Sequence, residues 1–243
     1  MCVPPPWKPP MRTLPNWIAA TLLPLIGERC AGCEERPAPG GLCDGCHRDI
    51  PPLPDPHCPL CALPGATASV CGNCITAPPH FDAVVAAGSF SHPLDAYIRA
   101  FKYHSRLSLA RPLASLLAGR LGAEALPDII VPMPLSADRQ RTRGFNQALE
   151  LARQLPPPYP ARIRTSLRRV RDTSPQAGLG ASDRKENVKG AFSAGPEVCG
   201  RRVALIDDVM TSGATLNAAA RSLKEAGAIE VRAWVVARAL RHD

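Results

Sequence analysis

Aromatic residues are scarce in this 243-residue chain: three tryptophans, three tyrosines and five phenylalanines make up 5% of it. Proteins that bind single strands without sequence preference lean on aromatic stacking, so a surface reading many bases in a row is disfavoured. Phe81, Phe90, Phe101, Tyr103 and Phe145 are the nearest candidates for stacking, and most of them are expected in the core. No apolar run reaches the roughly 20 residues needed to span a bilayer. The nearest approach, residues 14–26, is broken by Pro24, and no small-residue cleavage site separates it from Cys30, so it does not read as an export signal. It reads instead as an amphipathic segment inside a Pro-rich stretch, residues 1–28, with Met11 an alternative start to Met1. A cytoplasmic location is the default expectation.

Acids are also in deficit. Lys and Arg number 29 against 21 Asp and Glu, a net charge of +8, and the excess is local. Positions 99–189 hold 17 basic residues against 7 acids, whereas positions 30–74 hold two arginines against five acids. Such a field attracts a pyrophosphate-bearing substrate or a single-stranded nucleic acid, and charge alone does not separate the two. The length allows one full α/β domain with a small accessory module. The 28 prolines cluster at positions 3–10, 51–56 and 156–160, which read as an irregular start, a stiff connector and a loop between elements.

The most informative stretch is VALIDDVMTSGAT, residues 203–215. Val203, Ala204, Leu205 and Ile206 form a continuous apolar run, the pattern of a parallel strand covered on both faces. Asp207 and Asp208 are expected to end that strand, at the carboxyl edge where open α/β sheets place their ligands. Thr211, Ser212, Gly213, Ala214 and Thr215 are small enough to bring backbone amides close to an anion. Leu216, Ala219, Ala220 and Leu223 recur at helical spacing and Gly227 suits a C-terminal stop, so the loop leads into a helix N-terminus, where the dipole favours phosphate. The pattern fits a sugar phosphate. Solvated acids followed by an ordinary turn are the plainer alternative.

Eight of the ten cysteines form CxxC pairs: Cys30/Cys33, Cys43/Cys46, Cys58/Cys61 and Cys71/Cys74. Shifting the first four by 28 residues lands on the second four, an internal duplication. Four thiolates can hold one tetrahedral metal, zinc or iron, and leave no open position for catalysis. Sequential pairing gives one site per quartet; a cross-braced pairing stays open. A secreted disulfide framework is the competing reading. Cys2 and Cys199 stand alone, and His47 and His57 are expected at the surface.

Two further segments carry basic residues. DIIVPMP, residues 128–134, reads as a buried strand that runs into LSADRQRTRGFNQ, with Arg139, Arg141 and Arg143 ahead of Gly144. Residues 168–187, RRVRDTSPQAGLGASDRKEN, lack apolar periodicity and read as a long binding loop.

Residues 203–215 resemble the PRPP-binding motif of type I phosphoribosyltransferases, with Ser212 in place of a second threonine. The order FKY at positions 101–103, VPMPL with RTRGFNQ, RRVRDTSPQ with Arg184 and Asn187, and then that motif resembles the ComF family, ComFC and GntX-like proteins included, over roughly residues 20–240. The resemblance implies an α/β fold, a type I phosphoribosyltransferase-like parallel sheet flanked by helices over residues 79–243, preceded by a double zinc ribbon over residues 29–78. It implies that Asp207 and Asp208 bind the ribose hydroxyls and that Thr211, Ser212, Gly213, Ala214 and Thr215 cradle the 5′-phosphate. It further implies that residues 132–146 form the pyrophosphate loop and that residues 168–187 form the catalytic loop that closes over PRPP. On that basis Arg139 and Arg143 are expected to bind the pyrophosphate with Mg²⁺, and Arg171 and Arg184 are the expected catalytic residues that help neutralise the leaving group. Two structural zinc ions, PRPP as ligand, and a role in natural transformation and uptake of single-stranded DNA follow from the same resemblance. Two classes remain: a phosphoribosyltransferase whose acceptor is illegible in the sequence, or a non-catalytic single-stranded DNA-binding or scaffold protein that keeps the pocket. An oligomer is compatible with either.

Overall fold

The computed structural model of the protein describes residues 29–39, 41–65, 67–122, 126–171 and 190–240. The amphipathic stretch at 14–26, Arg184 and most of the basic segment at 168–187 lie outside the described residues.

Four parallel strands form the central sheet in the order β1 (Ala83–Ser89), β6 (Glu230–Arg238), β5 (Arg202–Met210), β2 (Ile129–Pro132). Their continuous apolar runs follow from burial on both faces. One face packs Val203, Leu205, Val231, Ala233 and Val235 against α7 (Ala214–Glu225), through Leu216, Ala219, Ala220 and Leu223. The opposite face packs Ala204, Ile206, Trp234 and Val236 against α3 (Leu94–Tyr103), α4 (Ala110–Leu121) and α6 (Gln147–Gln154). Alternate residues of β5 therefore serve opposite cores, as a side-chain period of two requires.

The strand does not end at the acids. β5 runs to Met210, because β6 continues beside it, with Val209 opposite Ala237 and Met210 opposite Arg238. Nor is the stretch after β2 all loop. Residues Ala137–Arg143 form a short helix, α5, whose N-cap Ser136 accepts a hydrogen bond from the Arg139 amide at 3.3 Å. Gly144 ends that helix in the left-handed region, φ 77°. Ser before and Gly after are the usual boundary signals. The basic segment at 168–187 likewise begins inside a strand: β3 (Leu167–Arg169) pairs antiparallel with β4 (Phe192–Ala194).

The described residues between 29 and 77 form two similar cysteine turns. Each first CxxC closes with a backbone hydrogen bond, Glu34 to Cys30 and Ala62 to Cys58, both 2.8 Å. The donor residue is left-handed in both, φ 61° and 57°. Each second CxxC opens a short helix, α1 (Asp44–Arg48) and α2 (Gly72–Thr76), with Cys43 and Cys71 as N-caps. The proline connector between them lies along the end of β1, where Ser89 donates from its amide to Pro51 at 2.9 Å and from its hydroxyl to Pro52 at 2.7 Å. Gly88 permits that approach, since a Cβ there would lie 2.5 Å from the Pro51 carbonyl. No helix among the described residues is long and apolar enough to cross a membrane.

Candidate functional site

A cavity of about 590 Å³ opens at the carboxyl ends of β2 and β5. Asp207, Asp208, Thr211, Ser212, Gly213, Ala214 and Thr215 line it, and so do Arg139 and Arg143 from α5. Two well-separated stretches of sequence thus share one space. Arg171 does not line it; this exposed residue lies beyond β3, whereas Arg169 within β3 does reach the cavity. Arg141 points elsewhere, in an exposed pair with Asp138 at 3.7 Å.

The loop owes its shape to Gly213, which is left-handed at φ 78° and directly precedes α7. A Cβ there would also meet the Met210 methyl at 2.5 Å, so glycine is required twice over. The loop therefore leads its amides and hydroxyls straight into the first turn of a three-turn helix, whose N-terminal partial charge is positive.

The two acids differ. Asp208 is buried, with 4% exposure, and pairs with Lys102 Nζ of α3 at 2.9 Å. Asp207 is half-buried, and its Oδ1 accepts the Asp208 amide at 2.9 Å. Desolvation first, and the neighbouring Asp208 carboxylate second, push the Asp207 carboxyl up to about 7, with Lys102 and the Asp208 amide pulling the other way. The floor of the cavity thus has one carboxylate already neutralised by a lysine and one that lacks a full counter-charge.

Several cavity residues carry no local signature. Lys102 sits in the FKY stretch at the end of a helix, and nothing in its neighbours announces a partner in β5. Asn146 caps α6, accepting from Leu149 at 3.1 Å, and its amide donates to the Met133 carbonyl at 3.0 Å, pinning the loop after β2. Gln147 is 2% exposed, and its Nε2 has no hydrogen-bond partner among the described residues. Of the five candidate stacking aromatics, Phe81 and Phe101 are buried and Phe90 and Phe145 half-buried. Tyr103 is 68% exposed at the cavity rim, with the Arg143 guanidinium 5.3 Å from its ring centre.

Each cysteine quartet gathers by itself. The sulfurs of Cys30, Cys33, Cys43 and Cys46 lie within 4.8 Å of one another, as do those of Cys58, Cys61, Cys71 and Cys74. This is the sequential pairing. A tetrahedron with metal–sulfur bonds of about 2.3 Å has sulfur–sulfur edges of about 3.8 Å. Cys33 to Cys43 at 3.9 Å and Cys61 to Cys71 at 3.7 Å match that edge. Burial raises the Cys30 thiol, but backbone amides of Cys43, Cys33 and Gly32 outweigh it and bring it down to about 6. Cys58 repeats the pattern, also at about 6, with amides of Cys71, Cys61 and Leu60. Amides aimed at sulfur favour the thiolate, the form that binds metal. Two closed, all-sulfur tetrahedra suit structural zinc.

The first quartet touches α3 and the loop after it. The Tyr97 hydroxyl lies close to Cys46, and Arg106 reaches the Ala31 carbonyl at 3.3 Å and Glu34 at 2.6 Å. The second is set into the core that also contains Val84, Leu205 and Val235.

Comparison with known proteins agrees with both halves. Residues 141–242 match the phosphoribosyl transferase domain and residues 18–75 the double zinc ribbon domain. The chain is 38% identical to Competence protein F of Haemophilus influenzae, over 87% of this chain and 97% of that protein. It is 35% identical to DNA utilization protein YhgH of Salmonella typhimurium, over 82% of this chain and 91% of that one. Competence protein ComFC of Bacillus subtilis is 27% identical, over 76% and 79%. A phosphoribosyltransferase-type sheet carrying two four-cysteine clusters, together with identity of this extent, means that the chain belongs to the ComF family.

Proposed function

We propose that the cavity binds PRPP with Mg²⁺ in a cytoplasmic protein that takes part in the uptake and use of single-stranded DNA. The observation that carries the reading is the placement of the hydroxyl-rich loop and the α7 N-terminus in one cavity with Asp207 and the arginines of α5. In this reading Thr211, Ser212, Gly213, Ala214 and Thr215 take the 5′-phosphate and the carboxylates of Asp207 and Asp208 accept the ribose hydroxyls. Arg139 and Arg143 lie where they can face the pyrophosphate; Arg171 and Arg184 are assigned to the same leaving group, Arg184 from outside the described residues.

The donors on the cavity floor are carboxylate and hydroxyl oxygens, the hard set that Mg²⁺ prefers alongside phosphate. That ion would supply charge neutralisation across pyrophosphate and ribose hydroxyls. The protein's own share is position and field: it holds C1 of the ribose in place and presents cations to a departing pyrophosphate. Lys102 pairs with Asp208 at 2.9 Å and fixes its carboxylate in place before ligand arrives. The name of one relative, DNA utilization protein YhgH, supports the connection with DNA, and that of another, Competence protein F, a role in competence.

A second reading keeps the pocket but drops the chemistry, with the protein acting as a single-stranded DNA-binding or scaffold partner. Tyr103 favours it, because an exposed ring stacked by Arg143 at the rim offers a base a platform. Calorimetry with PRPP and Mg²⁺ tests the first reading. Asp207→Asn with Asp208→Asn is expected to abolish binding while zinc content stays unchanged, and unaltered affinity would sink it. Pyrophosphate release with a base or amine acceptor would establish the enzyme. PRPP binding without release, beside salt-sensitive DNA binding, would establish the second reading.

A further inference from the structure

Arg238, the last residue of β6, is 3% exposed. Its guanidinium lies within hydrogen-bond reach of four carbonyl oxygens from three places in the sequence, three of them sharing the two N–H bonds of Nη1. Nε bonds Cys61 at 2.8 Å, and Nη1 bonds Met210 at 3.0 Å, Ala239 at 2.7 Å and Thr211. Cys61 is a member of the second quartet; Met210 ends β5 and Thr211 begins the phosphate loop. Arg238 therefore stands between the metal-binding turn and the ligand-binding turn. It also lines a second cavity, of about 800 Å³, whose wall includes Cys61 and Met210 to Ala214.

The geometry has a directional consequence. In a trans peptide the carbonyl and the following amide point opposite ways. Holding the carbonyls of Met210 and Thr211 toward Arg238 turns the amides of Thr211 and Ser212 away from it. A buried guanidinium holds several acceptors at once with five donors in a fixed plane, a geometry that the flexible three-donor ammonium of a lysine does not impose. The first quartet has no such route to the loop among its described contacts, which run to α3 and Arg106.

We propose that Arg238 is a positioning residue that ties the second cysteine quartet to the phosphate loop, so that metal at Cys58, Cys61, Cys71 and Cys74 sets the anion affinity of the cavity. The affinity part rests on the PRPP reading above; the mechanical tie does not. Metal holds the Cys61 turn, that turn holds the guanidinium, and the guanidinium holds the loop carbonyls.

The test uses the full chain with Arg238→Met, Arg238→Lys, Cys71→Ser and, as the control in the first quartet, Cys33→Ser. Zinc stoichiometry, amide hydrogen exchange across residues 210–213 and PRPP–Mg²⁺ affinity are measured on each. Arg238→Met is expected to keep both zinc ions, to raise exchange in the loop at least tenfold and to weaken PRPP at least tenfold. Arg238→Lys is expected to fall between it and the parent, and serves in its place if the methionine variant does not fold. Cys71→Ser is expected to reproduce the loop exchange, and Cys33→Ser to leave it unchanged. Loop exchange unaltered in the Arg238 variants, or altered equally by both cysteine changes, overturns the proposal. If the parent protein does not bind PRPP, the functional reading fails while the exchange measurements still decide the tie.

Discussion

The two cysteine quartets have the same spacing, the same left-handed turn and the same lowered first thiol, yet the protein uses them on different sides of the sheet. The first, with three half-buried cysteines, leans on α3 through Tyr97 and Arg106. The second, with three buried cysteines, belongs to the core of the sheet and reaches the loop that starts at Thr211 through Arg238. A duplication copies local geometry, because turns and sulfur positions are set within a dozen residues. It does not copy surroundings, and surroundings decide what a metal site supports.

The contrast is sharpest in stability. Cys74→Ser is expected to cost several kcal/mol, on the order of 4 or more, because release of that turn uncovers core residues such as Leu53 and Phe81, each worth about 1.5–3 kcal/mol. Cys46→Ser is expected to cost about half as much, since its turn adds only the small Ala31 to the sheet's core cluster, with Leu42 and Ile50 half-buried against it. Urea unfolding of the two variants with matched zinc measurements checks the ratio, and equal losses would break the contrast.

A smaller effect separates the two acids, which face the two sides of the site. Asp208→Asn leaves the Lys102 ammonium without its carboxylate and is expected to destabilise by about 2–3 kcal/mol. Asp207 behaves in the opposite sense. Its folded pKa, about 7, lies above the ordinary value, so its proton is held more tightly in the folded state. That contribution to stability is complete below about pH 4 and is lost as pH rises toward 7. Asp207→Asn is therefore expected to flatten the loss across that window, by on the order of 1–2 kcal/mol, as read from urea midpoints at pH 5 and pH 8. The smallest effect lies at the exposed tie of the first quartet: Arg106→Gln is expected to cost no more than about 1 kcal/mol in thermal unfolding, because Glu34 is largely solvated.

Much of the architecture was legible in the sequence because its signals are local or strictly periodic. The apolar run at Val203 to Ile206 reports burial on both faces, and the 28-residue offset of the cysteines reports two sequential sites. What was missed depends on distant pairing. The strand outlasts Asp207 and Asp208 because β6 runs beside it, and no residue of β5 announces that. Lys102 meets Asp208 across more than a hundred residues, and Arg238 is a lone arginine at a strand end with no motif around it. The helix Ala137–Arg143 is a different kind of miss: Ser136 and Gly144 mark its ends, but the resemblance to phosphoribosyltransferases implied a loop over residues 132–146.

The position of β6 has a consequence for assembly. This strand lies between β1 and β5, yet among the described strands it is the last in chain order. On the ribosome the cysteine turns emerge first and can close around metal early, since their contacts are local. β1 and β5 meanwhile have no partner between them, and their apolar flanks stay open until residues 230–238 arrive. The strand that completes the sheet also delivers Arg238, so the sheet closes and the loop after Met210 is tied down in a single late event.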